Sequence, residues 1–117
     1  MPSWDNLVIS FNELLTLPIQ WKNALEHWRG IYLIIDKSDG KAYIGSAYGE
    51  DNILGRWISY AKTGHGGNVE LKGRKPNNFM FSILQRLSPD LDPSDVIKIE
   101  TTWKLRLHTK EYGLNRN

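Results

Sequence analysis

The sequence predicts an α+β fold, a small antiparallel sheet of three strands flanked by helices. Two apolar, β-branched runs within Gly30–Gly45 flank Asp39-Gly40, a dipeptide that favours tight hairpin turns. A later run, Phe79 to Leu87, is rich in aromatic and β-branched residues and reads as another strand. Apolar residues with helical spacing surround Trp57 and Val96, which supplies the helices.

At 117 residues the chain is long enough for one core but not for two. Its 40% hydrophobic and 24% charged residues are those of a globular protein. The absence of cysteine excludes disulfides and cysteine-based zinc sites. No segment approaches the roughly 20 apolar residues that cross a bilayer. Met1-Pro2-Ser3-Trp4-Asp5 lacks the order of a signal peptide, so a cytoplasmic location is expected.

Residues 1–29 read as a helical accessory segment before a domain over 30–117, the whole forming one compact unit. Ser10-Phe11-Asn12-Glu13 has the form of a capping box and starts a short helix through Leu14 and Leu15. Thr16 and Pro18 restart the chain into a second helix. There Trp21, Ala24, Leu25 and Trp28 recur at i, i+3, i+4 and i+7, a stripe that packs on the core, and Gly30 ends it.

In the hairpin, side chains two apart share a face. Tyr32, Ile34 and Asp36 point one way, Ile31, Leu33 and Ile35 the other, and Tyr43 and Gly45 lie together on the second strand. A turn centred on Asp39-Gly40 sets Tyr43 opposite Asp36 and carries Tyr32 toward Ser46 and Ala47. The two tyrosines then share one face, offset along the strands.

Ser46 to Asn52 is a loop, and Asp51 or Asn52 caps the next helix. That helix runs from Ile53 to Thr63, with Gly64 as its stop. Ile53, Trp57 and Ala61 form its buried stripe, while Arg56 and Tyr60, four apart, share another face. His65 to Pro76 is polar, glycine-rich and basic, and is expected to be a mobile loop.

Phe79 to Leu87 alternates ambiguously: a strand groups Phe79, Phe81, Ile83 and Gln85, a helix Met80, Ile83, Leu84 and Leu87. Aromatic content favours the strand. Asp92-Pro93-Ser94-Asp95 then starts a helix, with Leu91 and Val96 placed for a hydrophobic staple. Val96, Glu100, Trp103 and Leu107 form its stripe. A carboxylate among core positions is costly to desolvate without a partner, so Glu100 faces either a site or a buried salt bridge, with Arg56 as one candidate partner.

Charge is unevenly spread. Residues 53–86 carry Arg56, Lys62, Lys72, Arg74, Lys75 and Arg86 against Glu70, and residues 101–117 carry Lys104, Arg106, Lys110 and Arg116 against Glu111. The remainder is net acidic, which suits a protein with one face toward a polyanion. Lys62, His65, Lys72, Arg74 and Lys75 are the candidate nucleic-acid contacts, since lysine and arginine displace phosphate counterions.

Gly30-Ile31-Tyr32, followed by Tyr43-Ile44-Gly45, resembles the signature of the GIY-YIG nuclease superfamily. Further positions follow in the family's order: Arg56 on the first helix after the hairpin, Tyr60 one turn on, Glu100 on a later helix and Asn115 near the end. The resemblance spans about residues 29–115 and implies a third strand at Phe79–Leu87. It implies a DNA endonuclease whose catalytic set is Tyr32, Tyr43, Arg56, Tyr60, Glu100 and Asn115. Glu100 is the metal ligand in this reading, holding one divalent ion, Mg²⁺ or Mn²⁺, and Arg56 binds phosphate. Tyr32 is the candidate base, Tyr43 and Tyr60 orient water and phosphate, and Asn115 orients the last helix or a nearby loop. Some members carry a lysine just after the second tripeptide, where this chain has Ser46. The substrate implied is double-stranded or branched DNA, with targeting left to a linked or separate domain and a homodimer as one arrangement. The alternative is a non-catalytic nucleic-acid-binding module of the same fold.

Overall fold

The computed structural model describes residues 1–116. Strands β1 (Val8–Ser10), β2 (Arg29–Asp36), β3 (Lys41–Ala47) and β4 (Phe79–Leu87) form one antiparallel sheet in the order β1-β4-β2-β3. Helices α1 (Phe11–Leu15), α2 (Ile19–His27), α3 (Ile53–Thr63), α4 (Pro93–Leu107) and α5 (Thr109–Tyr112) surround it. No helix among the described residues is long and apolar enough to cross a membrane.

The sheet has four strands rather than the three expected. The extra strand, β1, comes from the segment read as purely helical, and it pairs Ile9 with Phe81. Three residues are too few for an alternation to register, although Val8 faces out and Ile9 is wholly buried. The capping box beside it forms as expected, with Glu13 N–H on Ser10 Oγ at 3.2 Å and Ser10 N–H on Glu13 Oε1 at 3.0 Å.

The hairpin closes through four residues, not two. Gly40 N–H donates to the Asp36 carbonyl at 2.8 Å, and Gly40 takes φ +74°, a conformation open to glycine. The Asp36 carboxylate also accepts from the Ser38 N–H and hydroxyl. The register therefore shifts by two from the expected one: Tyr43 faces Ile34, and Tyr32 faces Gly45. A two-residue shift leaves every side chain on its predicted face.

One sheet face carries Tyr32, Ile34, Ala47, Phe79, Phe81 and Ile83 into a core completed by Leu25, Ile53, Trp57 and Tyr60. The other face packs Ile31 and Ile44 against Val96 of α4, with Leu91, Ile99 and Trp103 beside them. Leu91 packs into the same apolar cluster as Val96, whereas Leu107 at the end of the stripe is exposed. Trp57 is fully buried, and truncating such a side chain costs about 3–5 kcal/mol.

Two glycines explain why the motif needs them. Helix α2 stops at His27, three residues before the predicted stop, and Gly30 lies inside β2. A Cβ at Gly30 would collide with the Gln85 carbonyl of β4. At Gly45 a Cβ would lie 2.5 Å from Tyr32 Oη and 2.6 Å from its Cζ. Both sites require a missing side chain, one for backbone approach and one for the tyrosine ring.

Helix α3 has the predicted limits. Asn52, rather than Asp51, caps it by accepting from Gly55 N–H at 2.7 Å, and Gly64 ends it at φ +78°. The segment after it is tied down, contrary to the mobile loop expected. Leu71 is fully buried, and Arg74 Nη1 reaches Asp36 and Asp39 carboxylates at 2.9 Å each.

Candidate active site

β2 and α3 bring a phenol pair together. Tyr32 and Tyr60 have their hydroxyls 2.8 Å apart and are 1% and 0% exposed. Their rings meet edge to face at 5.9 Å, and Trp57 walls Tyr32 from another side at 6.4 Å. Arg56, one turn before Tyr60, donates from Nη2 to Tyr60 Oη at 3.1 Å and to the Gly66 carbonyl at 3.3 Å. Tyr43 is part-exposed and lies against Tyr60 at 6.0 Å between ring centroids.

Burial dominates the electrostatics of these phenols. It pushes the Tyr32 hydroxyl up to about 12, against the lowering effect of Arg56 and the Tyr60 hydrogen bond. Burial likewise raises Tyr43, helped by Tyr60, and raises Tyr60, helped by Tyr32. All three are neutral donors near pH 7. Burial opposes the charge of Arg56, but the surrounding phenols outweigh it and hold the guanidinium protonated.

Glu100 belongs to α4, in the layer across the sheet. Its negative charge nonetheless reaches Tyr43, contributing to the rise of that phenol. The carboxylate's partner is not Arg56 but Lys104, one turn on, with Nζ 2.8 Å from Oε2. Its donor chemistry fits a hard divalent cation: an anionic oxygen ligand, 17% exposed, already engaged with a cation. No cluster of three or more His, Asp or Glu side chains suited to a metal occurs among the described residues. A single carboxylate leaves most of a metal's coordination to water and substrate oxygens.

Asn115 is 1% exposed and clasps the outer edge of the sheet. Its Oδ1 accepts from Ile44 N–H and its Nδ2 donates to the Ile44 carbonyl, both at 2.9 Å. Leu114 N–H adds a bond to the Ala42 carbonyl at 2.8 Å. The chain end thereby fixes β3 between Tyr43 and Gly45, although the Asn115 amide itself is not among the tyrosines.

The candidate nucleic-acid contacts divide. Lys62, Lys72 and Lys75 are exposed, whereas Arg74 is turned inward onto the hairpin acids. His65 is half-buried and its Nδ1 accepts from Gly67 N–H at 2.9 Å. Sequence reasoning missed Lys104, Gly66 and Asn68, whose side chain works against the rise of the Tyr43 phenol. The spacing of Glu100 and Lys104 was the available signal for the first, as residues four apart on a helix meet.

A family model described as the GIY-YIG catalytic domain matches residues 29–113. Two solved structures share the fold. A mutant of the catalytic domain of intron endonuclease I-TevI superposes with a TM-score of 0.59 at 24% identity, covering 77% of this chain and 94% of that one. The catalytic domain of homing endonuclease I-TevI gives 0.56 at 27% identity, covering 74% and 96%. No curated protein matches the chain.

Proposed function

Because the chain belongs to the GIY-YIG catalytic-domain family, we propose that it is a metal-dependent endonuclease that hydrolyses DNA phosphodiester bonds. The observation that carries the reading is the run of hydrogen bonds from Arg56 through Tyr60 to Tyr32, with Tyr43 beside it. Phosphodiester hydrolysis needs a positioned water, a proton acceptor and charge stabilisation at the phosphoryl group.

Arg56 binds the scissile phosphate, its planar donor fork suiting two phosphate oxygens. In doing so it exchanges the Gly66 carbonyl for the incoming anion. Tyr43, the part-exposed phenol, hydrogen-bonds the phosphate or the attacking water. Tyr32 accepts the water's proton as its phenolate, and Tyr60, which accepts from Arg56, holds the Tyr32 hydroxyl in place. Glu100 is the residue that would hold the divalent ion, Mg²⁺ or Mn²⁺. When bound, such an ion would supply Lewis acidity to the departing 3′ oxygen. Lys62, Lys72 and Lys75 bind the DNA backbone on either side, and Asn115 positions Tyr43 through Ile44.

Every group in this set addresses the phosphodiester, which all DNA sequences share. Target choice therefore belongs to a linked or separate domain, and double-strand cleavage to a second copy or a second encounter. The test is cleavage of a labelled duplex by Arg56→Ala beside the parent. Loss of cleavage with an unchanged circular dichroism spectrum supports the reading. Undiminished cleavage refutes it.

A further inference from the structure

Lys104 is 5% exposed near the end of a surface helix, where lysine ordinarily reaches water. A buried ammonium needs a counter-charge, and Lys104 Nζ pairs with Glu100 Oε2 at 2.8 Å. The two lie one helical turn apart, so the backbone itself holds the ammonium beside the carboxylate. Glu100 is also the carboxylate assigned to the metal. The chain thus supplies its own cation at the place where an external one must bind.

From this juxtaposition we propose that Lys104 is a positioning residue that gates metal loading, keeping the ion weakly bound until DNA arrives. The inference rests on the assignment of Glu100 as the metal ligand. Two like charges that share one carboxylate repel, and screening is weak beside an ammonium as buried as that of Lys104. A free domain therefore binds metal poorly. A DNA phosphate brings the negative charge that offsets the second cation, so metal and substrate load together. The lysine stem is flexible enough to yield its contact when they do. A side chain kept only for packing would be replaced by methionine without effect on the ion.

The experiment is calorimetric titration of Mn²⁺ into the DNA-free protein, for the parent, Lys104→Met, Lys104→Arg and the double variant Lys104→Met/Glu100→Gln. Lys104→Met is expected to bind about tenfold tighter or more, Lys104→Arg like the parent, and the double variant not at all. If Lys104→Met does not fold, as judged by circular dichroism, Lys104→Gln provides the neutral side chain. Binding that depends on Glu100 but is equal or weaker in the neutral variant overturns the gate and leaves the metal assignment standing. Absence of Glu100-dependent binding in every variant overturns the metal assignment and the gate together.

Discussion

The hydroxyls of Tyr32 and Tyr60 lie 2.8 Å apart, enclosed between β2 and α3, and Arg56 completes the run at 3.1 Å from Tyr60. The Tyr32 hydroxyl thus has a neighbouring phenol as its hydrogen-bond partner. The guanidinium at the end of the run is the nearby positive charge, and it opposes the effect of burial on Tyr32 without overcoming it.

A phenol raised to about 12 is almost wholly protonated at pH 7. If Tyr32 accepts the proton as phenolate, cleavage under single-turnover conditions rises about tenfold per pH unit between pH 7 and 9. Tyr32→Phe lowers the rate about 100-fold or more and flattens that slope. A pH-independent rate in the parent places the proton acceptor elsewhere. The same shift has a stability consequence. A tyrosine raised above its unfolded value of about 10 supports the fold below that pH and withdraws its support as pH climbs toward 12. Thermal melts from pH 8 to 11.5 are expected to show stability falling above about pH 10.

Gly45→Ala places a methyl group 2.5 Å from Tyr32 Oη, and Tyr60 and Trp57 leave the ring little room to retreat. Displacing a reacting group by about 1 Å can cost 100-fold in rate. Cleavage by Gly45→Ala is expected to fall by about that factor while the far-ultraviolet spectrum is retained. Parent-like cleavage would show that the ring position is immaterial.

Asn115→Ala leaves the Ile44 N–H and carbonyl without their side-chain partners. Each unpaired buried group costs about 1–3 kcal/mol, and about 1 kcal/mol lowers the melting temperature of a domain this size by roughly 4–8 °C. A melting temperature lower by at least several degrees is expected. An unchanged melting temperature with lost cleavage would instead assign Asn115 a direct chemical part.

Arg74→Met removes the cation from Asp36, which is 2% exposed. Burial pushes the Asp36 carboxyl up, but the Ser38 hydroxyl and the Arg74 guanidinium outweigh it and hold the group below the usual carboxylate range. A depressed carboxyl supports the fold above its unfolded value of about 4 and loses that support as pH falls. The variant is expected to be about 1–3 kcal/mol less stable at pH 7 by urea titration, with the gap closing toward pH 3. Unchanged stability with weakened DNA binding would return Arg74 to the nucleic-acid contacts.

What was legible in the sequence was local. The Ser10–Glu13 capping box, the limits of α3 and the face shared by Arg56 and Tyr60 all follow from residues within a turn or two of one another. The hairpin register was not legible, because the Asp36 side chain reorganises the turn by accepting from Ser38. Strand β1 escaped notice for want of length, and its identity comes from its partner β4. The Asn115 clasp joins positions 71 residues apart, which no periodicity encodes. Glu100 stood out as a carboxylate among apolar positions, but the choice of Lys104 over Arg56 depended on which layer α4 joins.

The most direct test of the account is nicking of supercoiled plasmid by the purified chain in Mg²⁺, in Mn²⁺ and in EDTA, beside Glu100→Ala at matched purity and matched folding. Metal-dependent conversion to open-circular DNA by the parent is expected, with none in EDTA and none by the variant. Nicking that persists in EDTA or in Glu100→Ala, or a parent that binds DNA but never cuts it under any of these conditions, would contradict it.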